Sequence, residues 1–470
     1  MNMNKIFQLI LVSALICSCG TKKEVKQNPW DEMTAITEAV IPPTFKETAY
    51  NIMDFGAVAD SVTLNTAAFK DAIQKCTANG GGKVLVPSGT FLTGPIHLMD
   101  NVNLHLEEGS EILFSTNLED YPLVHTSYEG TELINFSPLI YAYGKKNIAI
   151  TGKGILNGQA SNEFWWPWCG KDTYGWEQGG PTQMTSLVRL KDSLSEKGAP
   201  VKDRVFGKGE YLRPSFIEPF ECENVLIEGI KIINAPFWVI HPIKSNSVTV
   251  DGVTVESHGP NNDGCDPEYS KNVVIKNCTF NTGDDCIAIK SGRNEDGRRI
   301  NIKSENIVVQ NCNMIDGHGG VVIGSEISAG VQNVYVENCK MDSPNLDRAI
   351  RIKTNSKRGG TVENVYVRNV QVGQVKEAVL KINLFYGIYG KQEGDFIPEV
   401  RNINLENVQV ENGGEYGILA KGYEQAPIEN ITFKDVTIKK VDSIYALDNV
   451  KNINFINTYI NGKKMTSISN

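Results

Sequence analysis

The sequence lacks an apolar run long enough to cross a bilayer. Its N-terminal apolar segment extends only from Ile6 to Ile16, whereas a spanning helix needs about 20 such residues. Lys5 precedes the segment and small and polar residues follow it, an order typical of a cleaved signal peptide. We therefore expect an exported chain whose body is not embedded in a membrane.

A lipid anchor is expected where this segment ends. The sequence Ile16-Cys17-Ser18-Cys19 resembles the bacterial lipobox, in which a small residue precedes the cysteine that is lipidated. The resemblance implies a lipoprotein signal peptide over residues 1–19, with lipidation at Cys19 and attachment to the outer membrane on its periplasmic or cell-surface face. An ordinary secretory signal with an incidental cysteine is the alternative. Residues 20–46 show no periodicity, and we interpret them as a tether.

An excess of positive charge is also missing. The net charge of −9 argues against nucleic acid as a partner, because that polymer is normally bound by a basic surface. An anionic sugar is not excluded, since a local basic cluster can dominate the field inside a cleft.

Cysteine pairs with the spacing of a zinc site are absent as well. The sequence has no CxxC and no Cys/His pair at that spacing. Three cysteines instead recur at one repeat position, Cys278, Cys312 and Cys339, which predicts stacked buried thiols. One disulfide is the alternative in an oxidising compartment. We expect no bound metal and no cofactor.

Short repeated strands fill most of the chain. A phrase that opens on a polar residue and continues with alternating apolar positions begins at Asn147, Asn224, Ser247, Asn272, Asn306, Asn333, Asn364, Asn402, Asn430 and Asn452. From Asn224 onward its copies begin 22 to 38 residues apart, which is typical of stacked coils in a solenoid. The recurrent Asn suits a left-handed corner that hydrogen-bonds the neighbouring coil. Because hairpin signals are scarce, we predict an all-β, right-handed parallel β-helix.

One helix is predicted at the start of this solenoid. Apolar residues recur at helical spacing over residues 65–78 and three glycines, Gly80 to Gly82, end the pattern. A solenoid needs a cap over its open end, so we expect an N-terminal capping helix in one β-helix domain over residues 47–470. The irregular segment from Ser161 to Arg213 contains four tryptophans. These either form a substrate-facing lid or pack within the insertion.

Four polar motifs follow one another at close to the length of a coil. They are Asn261-Asn262-Asp263, Gly283-Asp284-Asp285, Gly317-His318-Gly319 and Arg351-Ile352-Lys353. Positions one coil apart stack on one face of a solenoid, which predicts a single lateral groove. Glycosidic cleavage needs a protonated carboxyl and a carboxylate that activates water, about 6.5–9.5 Å apart for inversion. Mutual repulsion among three carboxylates raises at least one pKa.

These motifs, in this order, resemble those of glycoside hydrolase family 28, the polygalacturonases. Asn51-Ile-Met-Asp-Phe-Gly-Ala is similar to the N-terminal phrase of that family. The resemblance implies hydrolysis of α-1,4-galacturonosyl linkages with inversion. It assigns Asp284 as the general acid, Asp263 and Asp285 to the water, and His318 to a place beside the acid.

Four further residues are candidates for binding the substrate. Arg351 and Lys353 lie two apart on a strand and point to the same face, where they suit a galacturonate carboxylate. Asn261 and Lys290 complete this set. The family's commonest first motif has Thr where this chain has Asn262, which puts substrate placement in question while the catalytic aspartate is retained.

The mode of action and the competing functions follow from the same features. The insertion over residues 161–213 and the loop over residues 293–299 suggest a groove closed at one end, so we expect exo action on polygalacturonan or its oligosaccharides. The alternatives are a rhamnogalacturonan hydrolase, a calcium-dependent pectate lyase and a non-catalytic carbohydrate-binding β-helix. A basic residue that removes the C5 proton would serve the lyase.

Overall fold

The computed structural model describes residues 28–387 and 394–468, which form a right-handed parallel β-helix around one continuous core. The fold class predicted from the repeats is confirmed. The predicted signal peptide and its Cys19 lie outside the described residues. No helix among the described residues is long and apolar enough to cross a membrane.

Three ladders of parallel strands make up the coils, and we number them in the order in which each coil visits them. The first ladder consists of Ala49–Asn51, Gly82–Val86, Val102–Leu106, Lys146–Gly152, Glu223–Glu228, Asn246–Asp251, Lys271–Lys276, Ser304–Gln310, Val331–Glu337, Thr361–Gln374, Glu399–Asn412, Ile428–Lys434 and Val450–Ile456. The second ladder consists of Gly89–Thr93, Ser110–Phe114, Ile155–Asn157, Lys231–Ile233, Thr254–Ser257, Thr279–Thr282, Asn313–Asp316, Lys340–Met341, Thr437–Ile438 and Tyr459–Ile460. The latter halves of Thr361–Gln374 and Glu399–Asn412 continue this second ladder.

The third ladder is less regular. Its strands are Ile96–His97, Ile140–Tyr143, Ile217–Phe220, Ile287–Ile289, Val321–Gly324, Arg348–Lys353, Ala378–Asn383, Tyr416–Lys421 and Ser443–Asp448. Single bridges at Ile240 and Cys265 carry the ladder across two coils without a named strand. Outside the ladders, Leu123–Tyr128 and Thr131–Phe136 form an antiparallel hairpin, and Lys463–Lys464 pairs antiparallel with Tyr459–Ile460.

The period-2 alternation places the core residues as the sequence predicts. Val273, Ile275 and Cys278 are completely buried, and Cys312 and Cys339 occupy the same position on the next two coils. All three thiols are free and lie in the core. Each coil therefore buries its inward side chains against its neighbours, which is the source of solenoid stability.

An asparagine ladder lines one corner of the solenoid. The repeated Asn residues have positive φ, for example 59° at Asn306 and 57° at Asn333. Asn306 Nδ2 donates to Asn272 Oδ1 at 2.9 Å and Asn333 Nδ2 donates to Asn306 Oδ1 at 3.2 Å. The same bond continues through Asn364, Asn402, Asn430 and Asn452. Both expectations for this residue, the left-handed corner and the bond between coils, are confirmed.

The helices are few and mostly short. They are α1 (Pro29–Ala39), α2 (Thr66–Ala78), α3 (Met184–Val188) and α4 (Asn294–Ile300), with single turns at Ile52–Phe55, Leu118–Asp120, Trp166–Cys169, Asp172–Tyr174 and Val201–Asp203 and a π-helical turn at Arg189–Ser195. Helix α2 is the predicted cap. Its apolar side, including Phe69 and Ile73, is buried in the main core over the first coils.

Helix α1 corrects the predicted tether, residues 20–46, in the part that the structure describes, which begins at residue 28. Asn28 Oδ1 accepts a hydrogen bond from the Trp30 backbone N–H at 3.2 Å, which caps the helix. The buried side of the helix packs on the outward face of the first ladder, against Val274, Val308 and Tyr335. Its apolar residues form only a narrow stripe in a short segment, so the pattern is weak in the sequence.

Candidate active site

The third ladder brings the four predicted motifs together. Asp263 and Asp285 each lie two residues before a ladder residue, Cys265 or Ile287, and these two are bridged. One oxygen from each of Asp263, Asp284 and Asp285 lies within 4.8 Å of the others. The nearest oxygens are thus closer than the 6.5–9.5 Å expected between the acid and the base of an inverting enzyme.

Asp284 is the most accessible of the three aspartates. Its side chain is 20% exposed, and its Oδ1 lies 3.0 Å from Nδ1 of His318, which is 53% exposed. Burial acts to raise the pKa of Asp284, but the His318 hydrogen bond and the charges of Lys353 and Lys290 outweigh it and lower the pKa. The same hydrogen bond raises the pKa of His318. In the free site, Asp284 and His318 therefore form an ion pair.

The glycines around His318 have a steric reason. Gly317 has a φ of 149°, and a Cβ at this position would lie 2.6 Å from the Asp284 carbonyl oxygen. Only glycine accepts both the conformation and the close approach. This contact, together with the His318 N–H bond to the Asp284 carbonyl oxygen at 3.0 Å, holds the histidine over the acid.

Asp285 is fully buried and carries two cationic partners. Lys353 Nζ donates to Asp285 Oδ2 at 2.6 Å, and Arg351 Nη1 lies 3.5 Å from Oδ1. Burial acts to lower the pKa of Lys353, but the charge of Asp285 outweighs it and raises the pKa. The centre of the Tyr386 ring lies 5.2 Å from Arg351 Cζ and 5.2 Å from Lys353 Nζ. The two predicted substrate-binding residues therefore reach the same site, where they already pair with a carboxylate.

Lys290 lies deeper than the other two predicted cations of the site. Its side chain is only 3% exposed, and its Nζ lies 3.7 Å from Asp263, 3.5 Å from Asp266 and 3.6 Å from Glu326. The Trp238 ring covers the ammonium at 4.4 Å. Lys290 lies beneath the carboxylates and among their charges, so its contact with substrate stays a prediction.

The asparagines of the first motif bond within the fold. Asn261 Oδ1 accepts a hydrogen bond from Arg213 Nη2 at 2.8 Å, so its contact with substrate stays a prediction. Asn262 is completely buried; its Oδ1 accepts from Ser257 at 2.6 Å and its Nδ2 donates to the Ala235 carbonyl at 3.1 Å. Asn262 therefore shapes the loop, and its difference from Thr does not face the groove.

A hairpin that the sequence did not reveal covers the third ladder at the coils of Glu218 and Glu268, the second of which is the coil of Asp263. Its Thr126 hydroxyl donates to Glu218 Oε1 at 2.6 Å, and its Ser127 hydroxyl lies 3.2 Å from Glu268 Oε2. Both glutamates are fully buried, and His241 Nε2 lies 2.9 Å from Glu268. Polar side chains on the ladder's outward face are thus sealed from water on this side of the aspartates.

The insertion and helix α4 join the hairpin to form an end wall, a name we use for residues 123–136, 161–213 and 293–300. Arg204 and Asp296 form a completely buried bidentate pair, with Arg204 Nη2 2.9 Å from Asp296 Oδ1. The Arg293 N–H donates to the Gly130 carbonyl at 2.9 Å, and Asn294 Nδ2 donates to Glu196 at 2.8 Å. Ion pairs and backbone bonds therefore bind three distant segments into one structure.

The tryptophans of the insertion are expected either to face the substrate or to pack inside the protein, and they differ in burial. Trp165 and Trp168 are buried and pack with Phe136 of the hairpin, so they join the end wall to the main core of the solenoid. Trp166 is only partly buried and contacts Tyr174 edge-on. The charge of Asp284 contributes, after burial, to the raised pKa of Tyr174, which places this phenol close to the site.

A parallel β-helix with three carboxylates and a row of cations on one face defines a carbohydrate-active hydrolase. The family model described as glycosyl hydrolases family 28 matches residues 202–460, and the chain belongs to this family. A second model, rhamnogalacturonase A/epimerase, pectate lyase-like, matches residues 49–112. The membership inferred from the four motifs is confirmed.

Among solved structures, an exopolygalacturonase of Thermotoga maritima is 43% identical, with a TM-score of 0.90 over 94% of this chain and 98% of that one. The exo-poly-alpha-D-galacturonosidase of Dickeya chrysanthemi is 30% identical over 72% of this chain and 57% of its own length. A probable polygalacturonase of Vitis vinifera is 29% identical over 83% of this chain and 74% of its own.

Proposed function

We propose that this enzyme hydrolyses α-1,4-galacturonosyl linkages of galacturonan and its oligosaccharides from the chain end. The observation that carries the proposal is the convergence of Asp263, Asp284 and Asp285 beside Arg351 and Lys353. The carboxylates supply acid and base, and the cations suit a sugar that bears a carboxylate. The activity named for the Thermotoga and Dickeya relatives supports the same substrate.

Asp284 acquires its proton when the sugar binds. In the free site its pKa is lowered by His318, Lys353 and Lys290 against the effect of burial. A bound sugar removes the remaining water from its side chain, and a galacturonate carboxylate offsets the charge of Lys353. Both changes raise the pKa of Asp284. His318, 3.0 Å away, is charged in the free site and is the adjacent proton source.

Asp263 and Asp285 hold and deprotonate the attacking water. They lie on adjacent coils with Asp284 between them in sequence, and their oxygens approach within 4.8 Å. A water held by both is activated on the side of the sugar away from the acid. Inversion at the anomeric carbon follows from direct attack by this water, whereas a covalent intermediate would give retention.

Exo action is supported by the end wall. The hairpin seals the third ladder up to and including the Glu268 position on the coil of Asp263, so a long polymer has no continuous path along this face. A chain end fits against the wall, with its next residues directed toward Arg351 and the coils beyond. The wall is built partly from the insertion and the loop over residues 293–299 that suggested blockage in the sequence.

The alternative substrates have weaker support. The rhamnogalacturonase-related model matches residues 49–112, a region that contains none of the four motifs. A calcium-dependent lyase would use the aspartate cluster for the metal, yet Asp285 is already neutralised by Lys353 and Arg351. The Lys353 ammonium and the Arg351 guanidinium repel a metal cation and occupy carboxylate oxygens that it would need as ligands.

The purified protein is expected to release galacturonate monomer from polygalacturonan from the first minutes of reaction, with the β-anomer formed first from an α-linkage. Chromatography over time measures the products, and proton NMR during the burst measures the anomer. A ladder of oligomers would contradict exo action, initial α-anomer would contradict inversion, and an unsaturated product that absorbs ultraviolet light would indicate a lyase. Absence of any product from galacturonan would reject the proposed substrate.

We also propose that the enzyme is lipid-anchored through Cys19. The lipobox-like sequence before this residue supports the proposal. Cells expressing the full chain are expected to incorporate labelled fatty acid into it, and the variant Cys19→Ala is expected to lose the label. Equal labelling of both proteins would contradict the anchor, and Cys17→Ala serves as the matched control because it retains Cys19.

A further inference from the structure

Two buried carboxyl groups of the site share a single cation. Among the described residues, Lys290 is the only cation within 4 Å of either Asp263 or Asp266, at 3.7 Å and 3.5 Å. Asp266 is completely buried, and neither of its carboxylate oxygens accepts a hydrogen bond from the described residues. One oxygen of Asp263 also has no hydrogen-bond partner. Two carboxylates here would leave one uncompensated buried negative charge.

The neighbouring acids do not share this deficit, because each has another partner. The pairs are Asp285 with Lys353 and Arg351, Asp284 with His318, and Glu326 with Arg358 and Arg293. Glu326 also lies 3.6 Å from Lys290, yet its two arginines already compensate its charge. Lys290 is therefore divided between Asp263 and Asp266, and an unpaired ion at this depth is costly enough that a group neutralises instead.

We propose that Asp266 and Lys290 are positioning residues that set the ionisation of Asp263. The two aspartates together retain one proton, and the Lys290 ammonium determines how much of the pair's negative charge is available on Asp263 to activate water. Asp266 competes with Asp263 for the same ammonium. The role given to Asp263 rests on the proposed function, whereas the shared proton rests on the arrangement of the three side chains alone.

The electrostatics of the site agree with a shared proton. Burial is the largest cause of the raised pKa of both aspartates, followed at Asp263 by the charges of Asp284 and Asp266 and opposed by Lys290. At Asp266, Lys290 again opposes burial, and Asp285 and Asp284 raise the pKa further. Lys290 stays charged, because its four acidic neighbours outweigh its own burial. Interacting carboxyls of this kind titrate as a pair.

Opposite shifts of the pH profile test the proposal. Lys290→Met removes the one cation shared by Asp263 and Asp266, so the acidic limb of kcat is expected to move to higher pH by on the order of 2 units, which lowers kcat about 100-fold at any one pH on the wild-type acidic limb. Asp266→Asn removes the competitor, so the same limb is expected to move to lower pH. Lys290→Arg keeps the charge and is expected to restore most of the wild-type profile. KM changes little in each.

A substrate-independent measurement separates this inference from the proposed function. Infrared spectroscopy at neutral pH is expected to show a buried protonated carboxyl in the wild type, its loss in Asp266→Asn and its retention in Lys290→Met. Lys276→Met, on the same coil and paired with Asp251 at 3.3 Å, is the control and is expected to leave band and profile unchanged. The proposal would be overturned if the acidic limb of kcat moved in the same direction in Lys290→Met and in Asp266→Asn. It would also be overturned if Lys290→Met raised KM tenfold and left the acidic limb unshifted. A wild type inactive on galacturonan that keeps this infrared pattern would reject only the proposed function.

Discussion

Replacing Asp284 with Asn is expected to lower kcat on galacturonan about 10³–10⁴-fold while KM changes less than about threefold. The amide keeps the shape of the side chain but cannot deliver a proton to the leaving oxygen. Steady-state kinetics on oligogalacturonides of fixed length measure the effect. A variant that keeps more than a tenth of the wild-type kcat would rule out Asp284 as the acid.

The fold itself is expected to tolerate this change. Asp284 is partly exposed and lies within 4.8 Å of two other acidic side chains, so loss of its charge removes repulsion as well as the bond to His318. We expect the free energy of unfolding to change by less than about 1 kcal/mol. Asp342→Asn, at an exposed position directly after the second-ladder strand Lys340–Met341, is the matched control and is expected to keep full activity.

Breaking the buried pair in the end wall is expected to have the second large effect. Arg204→Met leaves Asp296 buried without its bidentate partner, which is expected to destabilise the wall by about 3 kcal/mol. The value lies at the low end for such pairs because Arg299 stays 3.1 Å from Asp296. As the wall loosens, oligomers are expected among the early products of polygalacturonan. Thermal unfolding, limited proteolysis and chromatography measure the three consequences.

A double variant distinguishes the lost charge pair from a simple loss of packing. Arg204→Met combined with Asp296→Asn removes both charges, so it is expected to recover more than half of the stability and to restore monomer as the first product. If the double variant were as unstable as Arg204→Met, packing of the arginine would be its main contribution. Monomer as the sole early product of a fully loosened wall would contradict the wall as the cause of exo action.

Much of this fold can be predicted from the sequence because every coil of a solenoid uses the same local interactions. The asparagine at each corner and the apolar alternation after it recur from Asn147 to Asn452, and each copy is independent support for the same local structure. The coil length then places Asp263, Asp285 and His318 on one face without any knowledge of the loops. The local periodicity and the stacking of coils are therefore sufficient to predict where the groove lies.

The remaining features depend on contacts between distant segments, which periodicity does not encode. The hairpin of the end wall meets the loop after Lys290 more than 150 residues later in the chain, and helix α1 packs on strands about 240 residues away. The sequence suggests a groove cation at Lys290 because the residue closely follows the motif Gly283-Asp284-Asp285. Its depth follows from Asp266, Glu326 and Trp238 on three other segments.

With the proposed lipid anchor at Cys19, the docking of helix α1 on the first ladder would limit how far the enzyme reaches from a membrane. Asn28, the helix cap, comes nine positions after the predicted lipid site, Cys19, and a fully extended chain of that length spans at most roughly 32 Å. A tether continuing to residue 46 would span roughly three times as much. An enzyme on this shorter tether would work close to the bilayer. It suits soluble fragments that diffuse to the cell, such as short oligogalacturonides, more than polymer fixed in a distant wall.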